Sequence, residues 1–353
     1  MHRTTETIFI IIAALFAFCF FKKEGPVQQE GSCIICDRLS LFTDIKQRVA
    51  ASYWSSFNTK SLTPPLVYFS DSLSWLAFSA DTKFKDIEYI KIECPSGLVL
   101  YKMNKRLDSV PFHMENKMSF TDSAMPYFKH PVMFCSDVES TAKLVPDVKN
   151  TEEWLQLVMH EYFHSFQFNH TSFINYFADS VHMQTDSLNN YYKNNDWFSE
   201  LAGIENDCLL KAISASSRDS LKYFCKQFIE TRKERRQRFI KQFQFDISPA
   251  EKFWEKTEGT ARYMEYNTGF IYENGQITTT GAKCDTLFNH FNNYYKKDFE
   301  KQPWFYIKTQ IMRAYYYVTG FNLCRVLDKL KISYKEDLFD RPSAGLEDFL
   351  TGN

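Results

Sequence analysis

Trp154-Leu155-Gln156-Leu157-Val158-Met159-His160-Glu161-Tyr162-Phe163-His164-Ser165-Phe166-Gln167 is the most informative stretch of this 353-residue chain. It contains the pattern HExxH. Its apolar spacing and the start signal Asn150-Thr151-Glu152-Glu153 predict a helix over about Thr151–Phe168. On such a helix His160 and His164 lie four residues apart, about 6 Å of rise, and point to one side. Two imidazole nitrogens placed that way can bind one Zn²⁺ at about 2.0–2.1 Å. Glu161 stands beside the metal without needing to ligate it, where it can serve as a general base toward water. Chance would produce HExxH in roughly one such chain per hundred, so its setting matters. Here it falls on a helix that is apolar on its other faces and follows an expected strand.

Working outward, the chain changes character near residue 150. Before it, short apolar runs alternate with turn residues: Leu66-Val67-Tyr68-Phe69 after Pro64-Pro65, then Ile87 to Ile92, Leu98 to Tyr101 and Pro131 to Phe134. These read as strands, behind an amphipathic helix from Leu39 to Phe57. After residue 150 helical periodicity dominates. Helices are expected at about Asp196–Ser214, Arg218–Phe243, Pro249–Tyr266, Gly281–Phe299 and Pro303–Leu330. The basic run Arg232-Lys233-Glu234-Arg235-Arg236-Gln237-Arg238 reads as a solvated helix face. The fold class expected is α+β, a strand-rich lobe (39–148) followed by a helical lobe (149–353) within one metallopeptidase-like domain.

A catalytic zinc usually keeps three protein ligands and one open position. The third should come from another helix, and Glu258-Gly259-Thr260-Ala261-Arg262-Tyr263 is the leading source. HExxH followed by a Glu-Gly-x-Ala-x-Tyr helix resembles the gluzincin zinc metallopeptidases, and uncharacterised bacterial members most. The resemblance covers about Pro131 to Leu338. It implies metal-assisted hydrolysis of peptide bonds, with His160, His164 and Glu258 as ligands of one zinc ion and Glu161 as base. Small residues at Gly259 and Ala261 are expected to let this helix approach the zinc helix. The 93 residues between His164 and Glu258 exceed the usual separation, so Glu205 and Glu200 stay open as third ligands. Gluzincins often supply an oxyanion donor from a Tyr or His beyond the third ligand. In Tyr315-Tyr316-Tyr317 that residue is Tyr317, three positions before Gly320 as in the resembling pattern.

The beginning of the chain addresses location. Ile8 to Phe21 is an unbroken apolar run of 14 residues, about 21 Å as a helix and shorter than a ~30 Å bilayer core. Residues 1–21 read as a signal peptide or amino-terminal membrane anchor, with Cys19 a candidate for lipidation and 22–38 a linker. Export to the periplasm, cell surface or medium is the expectation. Cys33-Ile-Ile-Cys36 lacks partners for a zinc site in sequence and reads as a local disulfide or two unpaired thiols.

Composition narrows the alternatives. Lys plus Arg total 42 against 43 acidic residues, so a nucleic-acid partner is not expected. Glycine is only 11 of 353 and aromatics reach 17%, which excludes a turn-rich all-β fold and provides a sizeable core. The reading is a zinc metallopeptidase acting on a peptide or protein substrate. Two alternatives use the same residues: an exported zinc-binding protein without protease activity, and a hydrolase of non-peptide amides or esters.

Overall fold

The computed structural model describes residues 30–78, 82–273, 283–291 and 315–351. The amino-terminal segment read as an export signal or anchor, with Cys19, lies outside them. Among the described residues no helix is long and apolar enough to cross a membrane. The chain forms two compact units: residues to Asn169 with Asn267–Tyr295, and His170–Tyr266 with the remainder. The architecture is α+β, a mixed six-stranded sheet in the amino-terminal part and a mainly helical remainder.

In the first unit helix α1 spans Glu30–Tyr53, beginning inside the stretch read as linker. Its Leu39, Phe42, Ile45 and Val49 recur at helical spacing and are fully buried. The strands are β1 Leu66–Phe69, β2 Ser74–Ala77, β3 Tyr89–Glu93, β4 Val99–Met103, β5 Met114–Lys117 and β6 Val132–Ser136, in spatial order β3-β4-β2-β1-β6-β5. Among these six strands β1 and β6 are the pair that runs parallel. Both faces of the central strands are covered, which is why β1 and β6 read as continuous apolar runs rather than alternating ones. Val67, Phe69, Leu76, Met103 and Phe134 form a core on one face. On the other, the ring of Tyr68 meets Trp154 edge-on at 5.9 Å. Helix α2 (Val138–Leu144) is capped by Asp137 and leads to α3, Thr151–Phe168, the HExxH helix at its expected bounds.

The second unit holds α4 Thr171–Ser180, α5 Thr185–Asn194, α6 Asp196–Ser214, α7 Arg218–Phe243 and α8 Ser248–Trp254. A π-helical turn, Glu255–Gly259, then joins α8 to α9, Thr260–Glu273, whose far end belongs to the first unit. Helix α10 is Tyr315–Leu330. The helix expected from Pro303 has its first residues outside the described ones.

Three sequence expectations are corrected. The arginine run is only half solvated: Arg232 and Arg235 are buried among Glu205, Glu251, Glu255 and Glu347. Their spacing sets them on the inward stripe of α7 with Phe228 and Phe239, while Lys233, Glu234 and Arg238 face water. Cys33 and Cys36 neither pair locally nor stay reduced. Both lie on α1, and they bond to distant segments as Cys33–Cys284 and Cys36–Cys94, with Cα separations of 5.9 and 5.4 Å. Finally, residues 283–291 are not helical, although Gly281–Phe299 was expected to be; the rest of that range lies outside the described residues. There the amides of Asn289 and Phe291 donate to the Glu152 carboxylate instead of to a helical ladder.

Candidate metal centre

Helix α3 starts where its sequence indicates. The Asn150 side chain accepts from the Glu153 amide at 2.9 Å, and Glu153 accepts from the Lys149 amide at 2.7 Å, a reciprocal arrangement close to a capping box. Two side chains then fix the helix to the sheet. The Trp154 indole donates to the Ser136 carbonyl at 2.9 Å, and the Tyr162 hydroxyl donates to the Pro64 carbonyl at 2.6 Å. Behind them Phe163 and Phe166 pack edge-on against Phe57, at 5.0 and 5.2 Å between ring centroids. The helix cannot rotate without breaking these contacts, so the direction of its polar stripe is determined.

On that stripe His160, Glu161 and His164 come together. Each is 5% exposed, and one ligand atom from each lies within 4.8 Å of the others. The imidazole centroids are 4.9 Å apart. His164 Nδ1 lies 2.9 Å from Gln167 Oε1. An amide oxygen only accepts, so Nδ1 carries the proton and the lone pair resides on Nε2, the atom a metal would take. Gln167, itself fully buried, thereby sets tautomer and ring orientation, as the outer partner of a metal-ligating histidine does. Two imidazoles one turn apart, one of them with an orienting partner, suit Zn²⁺.

The strand beside this helix is tied to it. Asn116 of β5 donates from Nδ2 to the Glu161 carbonyl at 3.0 Å, and its Oδ1 accepts from the Ser165 hydroxyl. One side chain thus spans a full turn of the motif, because Glu161 and Ser165 are four residues apart. Among the described residues, strand β5 is the last in the sheet order and pairs with β6 alone, so none of their strands lies on its other edge. Asn116 was not singled out in the sequence. A polar segment such as Met-Glu-Asn-Lys carries no strand signal, and only tertiary pairing reveals its role.

The remaining candidates belong to the second unit. Glu258 sits on the π-helical turn and is 5% exposed. Single π turns within α-helices recur at functional sites, because they shift one residue out of the regular register. Gly259, after it, is in contact with Gly320 of α10: a Cβ on Gly259 would lie 2.6 Å from the Gly320 carbonyl carbon and 2.8 Å from the Phe321 nitrogen. The space left by this glycine is therefore filled by the backbone of α10. Glu205 is fully buried and binds the guanidiniums of Arg232 (2.8 Å) and Arg235 (2.5 Å), so its charge is already matched. Glu200 is exposed on α6.

Of the three tyrosines, Tyr315 donates to Glu251 at 2.5 Å and stacks on Tyr192. Tyr317 is half-buried. Tyr316 feels Glu258: burial, and next the negative charge of Glu258, push its hydroxyl well above the usual tyrosine range, against hydrogen bonds with Asn189 and Thr185. Helical register offered the signal. Tyr316 is four residues before Gly320 and shares its face, and Gly320 is the residue that meets the Glu258 turn. No known protein family, curated protein or solved structure matches the chain. Function is therefore argued from the site alone.

Proposed function

We propose that the chain is a zinc-dependent metallopeptidase, gluzincin-like in its motifs, that hydrolyses peptide bonds with Glu161 as general base. The observation that carries this reading is the buried His160–Glu161–His164 cluster, with His164 oriented by Gln167. His160 and His164 would hold the ion and Glu258 would be its third ligand. Zinc so held would acidify a water and polarise the scissile carbonyl. Glu161 would take the water proton and pass it to the departing amine, a task for which a purely structural metal site has no use. Tyr317 was the oxyanion donor expected from sequence; Tyr316, beside Glu258, is the alternative that helical register favours.

A peptide rather than another amide or ester is favoured by strand β5. An extended peptide adds readily to a sheet edge through main-chain hydrogen bonds, β5 is the edge strand among the described residues, and Asn116 fastens it to the carbonyl of the proposed base. Export, attached to a membrane or not, is part of the same proposal. Two disulfides between distant segments are supportive, because such bonds persist in oxidising compartments. The reading is tested by metal analysis of the purified protein coupled to digestion of a peptide library. One zinc per chain with zinc-dependent cleavage is expected. Bound zinc without cleavage would favour the non-catalytic alternative, and cleavage confined to non-peptide amides or esters would favour the other.

A further inference from the structure

Residues 283–291 are fastened to the start of the HExxH helix by a set of contacts with one covalent bond at its head. Cys284 is bonded to Cys33 of α1, closing a loop of sequence separation 251. The Cys284 amide donates to Asp37 at 2.7 Å, one turn along α1 from Cys33. Asp285 comes next, nearly buried, and takes four donors: Arg38 Nε at 3.0 Å, Arg38 Nη2 at 3.0 Å, the Thr151 hydroxyl at 2.6 Å and the Leu287 amide at 3.2 Å. The Thr151 amide, in the first turn of α3, donates to the Leu287 carbonyl at 3.1 Å. Glu152 then accepts the amides of Asn289 (2.9 Å) and Phe291 (3.0 Å).

This segment would not hold its shape unaided. His290 and Phe291 both have left-handed backbones, φ 54° and 57°, which residues with side chains rarely adopt in succession. Their conformation depends on the Glu152 carboxylate, and that contact depends on the segment staying in place. The helix turn receiving these contacts lies about two and a half turns ahead of His160. In sequence, the segment follows α9, which begins immediately after the Glu258-bearing turn.

We infer that Cys33–Cys284 is a redox latch for the metal centre. Oxidised, it holds 283–291 on the first turn of α3 and keeps the HExxH helix fixed at its start. A dithiol opens it: two electrons and two protons cleave the Sγ–Sγ bond to two thiols, and the dithiol becomes a disulfide. The ion pair and amide contacts then have to hold two strained residues without covalent help, and the segment lifts. In a reducing compartment the first turn of α3 stays loosely held, although the contacts of Trp154 and Tyr162 remain farther along the helix, and it is clamped when the chain reaches an oxidising one. The metal half of this inference rests on the proposed zinc site; the latch half does not.

The test compares the full-length chain carrying Cys33→Ser with Cys284→Ser against one carrying Cys36→Ser with Cys94→Ser, which removes the other disulfide. Hydrogen exchange is read at the Thr151, Asn289 and Phe291 amides, and zinc retention is read against a chelator. The latch pair should speed exchange at those three amides at least about tenfold and release zinc faster, while the control pair leaves them unchanged. Unchanged exchange in the latch pair, or equal effects in both pairs, would overturn the latch. If the latch pair does not fold, the same amides are followed while dithiothreitol reduces folded wild-type protein. Opening at 283–291 ahead of the rest supports the latch; uniform opening refutes it. Wild-type protein that binds no zinc while the exchange difference persists would remove the metal reading and leave the latch standing.

Discussion

Gly259 and Gly320 touch backbone to backbone, and no side chain of any size fits between them. A Cβ on Gly320 would stand 2.8 Å from the Gly259 α-carbon and closer still to the Glu255 carbonyl oxygen. Both obstacles are main chain, so neither can swing aside. The contact fixes the π turn, and with it Glu258, against α10. Gly320→Ala should therefore destabilise the protein by about 1–3 kcal/mol, the usual cost of overpacking a tight core. Urea unfolding of the two proteins measures it, and a variant as stable as wild type would show that the helices are not in contact there.

The buried arginines give a second expectation. Arg232 pairs with Glu205, Glu255 and Glu347, all buried. Removing one partner of a buried ion pair strands the others, at a cost of about 3–5 kcal/mol. Arg232→Ala should lose about that much stability, whereas Lys233→Ala, on the exposed stripe of α7, should change it by less than about 0.5 kcal/mol. Equal losses by chemical denaturation would contradict the division of α7 into two faces.

The same lattice predicts acid sensitivity. Burial alone would raise the Glu251 carboxyl, but Arg235, Arg236 and Arg232 outweigh it and hold the group down at about 2, from an ordinary 4.5. The native state thus binds this proton less tightly than the unfolded chain. Its contribution to stability is complete above pH 4.5 and is lost as pH falls toward 2. Denaturation midpoints measured between those values should fall steadily for wild type. They should fall less steeply for Glu251→Gln, and a parallel decline would assign the acid loss elsewhere.

Legibility in the sequence followed how locally each feature is encoded. Helix α3 was readable to both ends because its cap, acidic first turn and apolar spacing all lie within its own residues. Strand β1 was readable for the same reason, as an apolar run behind two prolines. Strand β5 was not, since its four residues are polar or flexible and its place depends on β6. The fate of Cys33 and Cys36 was hidden because their partners are 251 and 58 residues away. The inward turn of Arg232 and Arg235 was hidden because a charge run looks alike in water and in a lattice of carboxylates. Only the glutamates that face it make the difference, and they are spread from Glu205 to Glu347.

The third ligand can be settled by metal affinity. Even groups that only support a ligand typically alter affinity 10–100-fold, and a ligating carboxylate should exceed that. Glu258→Ala should weaken zinc binding beyond about a hundredfold. Glu200→Ala, exposed on α6, should leave it nearly unchanged. Zinc lost by Glu200→Ala and kept by Glu258→Ala would reverse the assignment.

Zinc content and turnover of Glu161→Gln, measured on one preparation with a peptide that the wild type cleaves, bear most directly on the proposed chemistry. The substitution preserves the shape of the side chain beside His160 and His164 and removes its basicity. Zinc should stay near one per chain while turnover falls at least about a hundredfold, the scale of losing a general base. Turnover within a few-fold of wild type, with zinc still bound, would contradict the account and remove Glu161 from the reaction.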